Sequence, residues 1–247
     1  MTSGLRFPTP GIDERTDMHA SPSPSTACWN CGGAPGPGHF CAACGKIQPP
    51  GDGGYFAFFA LPEKLGVDRE DLERRYLALS WKLHPDNFVR AGEYERNCSL
   101  ELSSALNDAY RALCDPVSRA EYLLERHGVR KEGQTKQQAP PELLEEVFEL
   151  NEWLDELRSA REAGSRGAET SELRERLEGA RQAFEEKLAA VDAELGAGFA
   201  EWDAATDGGA GDAARGRAMA RLNEVLNRRS YIRNLVASVT RELENDA

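Results

Sequence analysis

DREDLERRYLALSWKLHPDNF, residues 68–88, carries an amphipathic helix and its stop signal in one run. Leu72, Tyr76, Leu79 and Leu83 recur at i, i+4, i+7 and i+11, one face of a helical period. Arg69, Arg74, Arg75 and Lys82 lie mostly off that face. Asp68 stands where a helix takes its N-cap, with Asp71 three residues on as a weak capping-box partner. Pro85 removes a backbone donor and biases the residue before it out of the helical region, so the helix ends there. His84-Pro85-Asp86 is therefore left at an exposed helix–loop junction. Taken alone, the tripeptide reads as a helix stop.

Working outward, the chain divides into unequal stretches. Residues 1–26, rich in Pro, Ser, Thr and Asp, read as a disordered tail. Residues 27–50 hold two cysteine pairs among glycines and prolines, and residues 54–128 read as compact helices. Residues 129–139 read as a polar linker, and residues 140–245 as longer helices broken at 163–168 and 207–216. Leu143, Val147, Leu150, Leu154 and Leu157 form one packing seam. Leu173, Leu177, Ala180, Phe184, Leu188, Val191 and Leu195 form a second, in strict 4-3 alternation. Leu222, Val225, Ile232, Val236 and Val239 approximate a third. Three such helices bury one another's stripes as a bundle. The expected fold class is all-α: a helical hairpin, a C-terminal three-helix bundle, and a small N-terminal zinc ribbon or knuckle module.

That module rests on Cys28-Trp-Asn-Cys31 and Cys41-Ala-Ala-Cys44, separated by nine residues. Each CxxC turn brings two thiolates to one ion, and the glycine after it (Gly32, Gly45) permits the tight turn. Two such turns close a Cys₄ tetrahedron with no open position, a structural zinc site. So short a segment has almost no core, so the metal supplies its folding energy. Iron in the same four thiolates is the alternative. A redox dithiol would need one pair in a thioredoxin-like setting, which is missing. His39 could replace a cysteine, but four thiolates already complete the set.

Bulk composition removes other classes. The 247 residues carry a net charge of −12, which argues against a generic nucleic-acid binder. No apolar run reaches the length of a membrane helix. Residues 1–20 have no apolar core of a signal peptide, and Asp13, Glu14 and Asp17 fit poorly with an acid-poor transit peptide. The expectation is a cytoplasmic protein without membrane or nucleic-acid partners. No nucleophile–base pair and no phosphate-cradling glycine loop suggests an enzyme.

A family resemblance adds to this reading. Residues 55–88 resemble the opening of a J-domain: the YFAFF start, the LGV turn, the RRYLALSWKLHPD helix and NF after it. ELSSALNDAYRALCDPVSRAEYLL, 101–124, resembles that domain's third helix and its exit, in wording similar to the HscB-type branch that serves iron–sulfur cluster assembly. PELLEEVFELNEWLDELR, 141–158, resembles the branch's client-binding helix. The cysteine module followed by IQPP resembles the N-terminal zinc domain of its eukaryotic members. The likeness runs from about residue 28 to 245.

The resemblance implies a co-chaperone. His84, Pro85 and Asp86, with Arg74, Arg75 and Lys82 on the helix before them, would dock on a DnaK/HscA-type chaperone and stimulate its ATPase. Positive charge would speed encounter with an acidic partner surface. The client would be an IscU-type iron–sulfur scaffold. Leu144 and Phe148 lie beside the seam at i and i+4 with Glu145, Glu149, Glu152 and Glu156 around them, an apolar pair ringed by acids. The family's scaffold-binding face matches at Leu144, Phe148, Glu149, Glu152 and Glu156, and Tyr231 stands where the family has an aromatic. Glu145 replaces an expected apolar residue and Ser230 an expected arginine. The bland alternative is a solvated helix face. Other readings are a J-domain protein for a different client, and a zinc-ribbon interaction protein; the zinc module could also pair two copies. Cys98 and Cys114 read as small buried residues, His127 as a helix cap, and Trp153 and Trp202 as packing.

Overall fold

The computed structural model describes residues 27–130, 140–164, 167–209 and 211–245. The expected tail, 1–26, and positions 131–139 of the expected linker lie outside them. Among the described residues seven α-helices follow in order: α1 (Gly54–Phe58), α2 (Arg69–Leu83), α3 (Glu93–Cys114), α4 (Pro116–Arg126), α5 (Leu144–Glu162), α6 (Ala168–Asp207) and α7 (Asp212–Glu244). Short 3₁₀ turns occupy Pro85–Phe88 and Pro141–Leu143. Among the described residues the sole β feature is one antiparallel bridge, Phe40 to Ile47, in the cysteine module. The fold is all-α, as the periodicity demands.

Local signals explain where the helices begin. The Asp68 carboxylate accepts from the backbone N–H of Glu70 at 2.9 Å and of Asp71 at 3.3 Å, capping α2. The capping box stays half-built, because the Asp71 carboxylate turns to Arg74 and Arg75 instead. At α4, Asp115 accepts from Ser118 N–H at 2.7 Å, and Pro116 fills the first helical position, where no donor is needed.

α2 and α3 form the hairpin. Leu72 and Leu83 are buried against Leu102, Leu106 and Leu113. Tyr76 stacks on Tyr110 with centroids 4.3 Å apart, and its hydroxyl donates to Asn107 at 3.0 Å. In the bundle, the expected seams of α5 and α6 face the core, joined on α7 by Leu222, Val225, Ile232 and Val239. Ala218, four residues before Leu222, extends the 4-3 alternation, and Leu226 is also buried there outside it. A β-carbon at Gly198 would meet Leu222 Cδ2 at 2.8 Å, so α6 and α7 approach closely because this residue has none. Each fully buried leucine contributes about 1.5–3 kcal/mol.

The hairpin and the bundle share one continuous core, and polar bonds lock them together. The Asp203 carboxylate, near the end of α6, accepts from Leu65 N–H and Gly66 N–H, both at 2.7 Å. Trp202, 2% exposed, donates its indole N–H to the Glu63 carbonyl at 3.0 Å. Glu63 in turn accepts from Arg126 at 3.1 Å and pairs with His127 at 3.2 Å, and the His127 ring stands edge-on to Trp202. The α6 end thus grips the Leu-Gly-Val turn that leads into α2. A side chain at Gly66 would put its β-carbon 2.7 Å from the Asp203 carboxylate. His127 does end α4, but its side chain serves this clamp and not the helix terminus. Arg130, which lies in the expected linker, is held by Asn227 at 3.1 Å and Glu121 at 3.3 Å.

Asp203→Ala removes a charged acceptor from two amides. It is expected to lower stability by about 2–4 kcal/mol, with Asp203→Asn losing about half as much. Urea unfolding checks the magnitude. Faster amide exchange at Leu65 and Gly66, with helical content unchanged, checks the location; an unchanged urea midpoint would remove the clamp from the account.

Candidate functional site

The His84-Pro85-Asp86 junction is built from backbone groups that other side chains satisfy. Pro85 has no N–H for the carbonyl of Trp81, four residues back, and Asn87 Nδ2 donates to that oxygen at 2.6 Å instead. The Leu83 carbonyl takes two hydroxyls from α3, Ser99 at 2.6 Å and Ser103 at 3.1 Å. The helix end is thereby fixed on both sides. His84 and Asp86 remain outside, the Asp86 side chain 84% exposed. His84 Nδ1 accepts from the Asp86 N–H at 3.3 Å.

The three cations of α2 expected to meet a partner, Arg74, Arg75 and Lys82, differ in freedom. Lys82 is exposed. Arg74 is exposed and reaches Asp71 at 2.9 Å. Arg75 is engaged internally: Nε bonds Asp71 at 2.7 Å, and Nη1 donates to the carbonyls of Phe59 at 2.9 Å and Ala60 at 3.2 Å. Ala60, with φ 51°, is the one described non-glycine residue in the left-handed region, and Arg75 holds the carbonyls at its turn. The guanidiniums of Arg75 and Arg74 hold the Asp71 carboxyl below its ordinary range. Arg75 therefore ties α2 to the segment after α1, and of these three cations Arg74 and Lys82 are the ones left facing outward.

On α5, Leu144 is 55% and Phe148 66% exposed, with Glu145, Glu149, Glu152 and Glu156 exposed along the same helix. Arg228 lies 3.7 Å from Glu142, and Arg158 2.7 Å from Glu242, so α5 and α7 run parallel. Tyr231 is thus level with the first turns of α5, half-buried against the core, where burial pushes its phenol up. Ser230 lines a cleft between the start of α4 and α7, with Asp115, Arg229 and Arg233.

The four cysteines converge, all Sγ atoms lying within 4.8 Å of one another. The two CxxC turns are built alike. Gly32 N–H bonds the Cys28 carbonyl at 2.9 Å and Gly45 N–H the Cys41 carbonyl at 2.8 Å, and both glycines have φ 71°. Cys28 and Cys44 sulfurs are 3.7 Å apart, Cys31 and Cys41 sulfurs 3.8 Å. Zinc–thiolate bonds of about 2.3 Å give a tetrahedron with edges of about 3.8 Å, so the donor set fits the ion. Burial raises Cys28, but N–H groups of Cys31 and Asn30 and the thiols of Cys41 and Cys44 bring it down to about 6. The Lys46 N–H lowers Cys44. A thiolate is therefore ready at neutral pH.

His39 stands outside the cluster. Its Nε2 lies 3.0 Å from the Phe58 carbonyl, its ring packs on Phe58 at 4.2 Å, and burial lowers its pKa. The module is seated on the helices: Ile47 is buried in the common core, and Lys46 pairs with the nearly buried Glu95 of α3 at 2.9 Å. That pairing consumes the only basic side chain between Cys28 and Pro50.

Sequence reasoning missed Asn87, Ser99 and Ser103, whose roles depend on tertiary approach. It also passed over Leu77 and Trp81, exposed at i and i+4 on the outer side of α2. Their place opposite the buried stripe was visible in the helical period.

No family model matches the chain. Curated relatives do. The human iron–sulfur cluster co-chaperone protein HscB is 37% identical over 137 residues, 53% of this chain and 58% of that protein. A Vibrio vulnificus co-chaperone protein HscB homolog is 32% identical over 153 residues, 62% of this chain and 85% of its own length. A Neisseria meningitidis counterpart is 34% identical over 134 residues, 53% of this chain and 81% of its own. This chain thus spans less than two thirds of the human relative and more than four fifths of the bacterial ones. The crystal structure of human co-chaperone protein HscB superposes with a TM-score of 0.58 at 28% identity, covering 87% of this chain and 96% of that one. With helical architecture, cysteine cluster and exposed His-Pro-Asp junction in place, identities of 32% and 34% over most of the bacterial relatives make this chain a member of the HscB co-chaperone family.

Proposed function

We propose that this chain is a cytoplasmic co-chaperone of iron–sulfur cluster assembly that stimulates a DnaK/HscA-type ATPase and delivers an IscU-type scaffold to it. In this reading, residues 54–128 are the J-domain, residues 140–245 bind the client, and residues 27–50 hold structural zinc. The observation that carries it is the His84-Pro85-Asp86 junction. Two charged or polar side chains project from a helix end whose carbonyls are satisfied by Asn87, Ser99 and Ser103. Such a loop has a fixed shape before any partner arrives, which lowers the ordering cost of binding.

Asp86 is able to accept a charge-assisted bond from a partner arginine. Arg74 and Lys82 supply positive charge along the approach. The co-chaperone adds no group to phosphoryl transfer; it biases its partner's conformational equilibrium by its differential affinity for the two states. At the other pole, Phe148 and Leu144 offer apolar area within a rim of glutamates, the composition of a small docking patch. Glu149, Glu152 and Glu156 would meet cationic groups of the scaffold, and Tyr231 would stiffen the adjacent α7 surface. Support from relatives lies in the human protein's description as an iron–sulfur cluster co-chaperone.

Replacing His84 with Gln is expected to abolish ATPase stimulation while circular dichroism and scaffold binding stay at wild-type values. Persisting stimulation in that variant would defeat the assignment. Phe148→Ala is expected to weaken scaffold affinity roughly tenfold, by about 1–2 kcal/mol, in calorimetric titration, leaving basal chaperone stimulation intact. Wild-type affinity in that variant, or no wild-type binding at all, would point to another client. For the metal, a strong chelator is expected to release one ion per chain and open residues 27–50 to proteases. Helical ellipticity should survive, since the remaining core does not depend on thiolates; retention of a protected module without metal would contradict structural zinc.

A further inference from the structure

The charges of α2 are only part of its outer surface. Trp81 is 80% exposed and Leu77 60%, one turn apart on the side opposite the buried stripe. The other tryptophans are occupied. Trp202 is buried and bonded to Glu63, Trp29 donates to Ile47 and packs at a tilt against Tyr94, and Trp153 packs on the core. Trp81 has no hydrogen-bond partner for its indole nitrogen and no aromatic neighbour among the described residues. A large amphipathic ring left in water forfeits one of the largest apolar burials any side chain offers.

Its position is tethered to the docking loop. Asn87 Nδ2 holds the Trp81 carbonyl at 2.6 Å, so the turn carrying the indole moves with His84-Pro85-Asp86. Arg74 and Lys82 lie on the same outward half of the helix, flanking the two apolar residues. An aromatic anchor between cations fits a partner with an apolar pocket at an acidic margin. It fits a second copy poorly. A two-fold pairing through this face sets Arg74 and Lys82 against their own copies. Two side chains also fall well short of the roughly 800 Å² per partner that a stable interface buries.

We propose that Leu77 and Trp81 form the apolar half of the surface with which α2 engages the ATPase domain of a DnaK-type chaperone, the indole entering a pocket beside acidic residues. This rests on the function proposed above, and deepens it: His84-Pro85-Asp86 delivers the signal, and Trp81 supplies affinity and partner selectivity.

The test is steady-state ATP hydrolysis by the DnaK-type chaperone of the same organism, titrated with full-length protein. Trp81→Ala is expected to raise the half-stimulating concentration at least about tenfold, about 1.4 kcal/mol, while the maximal rate at saturation is kept. Trp81→Phe should recover most of the affinity, and Leu77→Ala should shift it in the same direction by less. Thermal stability should change little, because Trp81 is 80% exposed and has little buried area to lose. His84→Gln, by contrast, removes the maximal response. An unchanged half-stimulating concentration in Trp81→Ala, with His84→Gln still inactive, overturns the anchor alone. No stimulation by the wild-type chain overturns the functional reading and the anchor with it. A mass that rises with concentration in sedimentation and falls back in Trp81→Ala, with chaperone affinity unmoved, would instead assign the face to the acidic Phe148 patch of another copy and overturn the proposal.

Discussion

The grip of α6 on the turn before α2 is the constraint on which the rest depends. One carboxylate, Asp203, takes the two amides of Leu65 and Gly66, and one indole, Trp202, takes the carbonyl of Glu63. These three backbone groups belong to a turn, where helical bonds are not available to satisfy them. The bundle therefore completes the hairpin's own hydrogen bonding, and the two halves share one core. The direction of α2, and with it the direction in which His84 and Asp86 point, is set by residues about 140 positions further along the chain.

A common core fixes where the charges lie. α2 presents Arg74 and Lys82, and α5 presents Glu149, Glu152 and Glu156, at separate places on a chain of net charge −12. Opposite signs at two separate faces create fields of opposite sense, each suited to a partner of the other charge. The cysteine module stays out of this division. Its lysine is paired with Glu95, and its Ile47 is part of the common core, so it acts as a brace on the hairpin's flank.

Much of this was legible in the sequence, for identifiable reasons. Helix seams follow from a period that tertiary packing cannot alter, and every seam residue of α5 is buried. The CxxC spacing fixes ligand number before any fold is known. Pro85 dictates a helix end by its covalent structure alone. What escaped depends on which elements meet. Arg75 looks like a surface cation in a helical wheel, yet the approach of α1 turns it inward to Phe59 and Ala60. His127 looks like a cap until Glu63 and Trp202 come beside it. Asp203 carries no motif at all. Its role exists only because a turn 137 residues earlier has two spare amides.

That separation has a consequence for how the chain comes into being. Residues emerge from the ribosome in order, at about 5–20 per second. The cysteine module, α2 and the His84-Pro85-Asp86 loop are all made before Asp203 exists. For on the order of ten seconds the Leu-Gly-Val turn has only water for its amides. During that interval the nascent chain displays the His84-Pro85-Asp86 loop on an unanchored hairpin, and the arrival of Asp203 and Trp202 on α6 is what stops the clock.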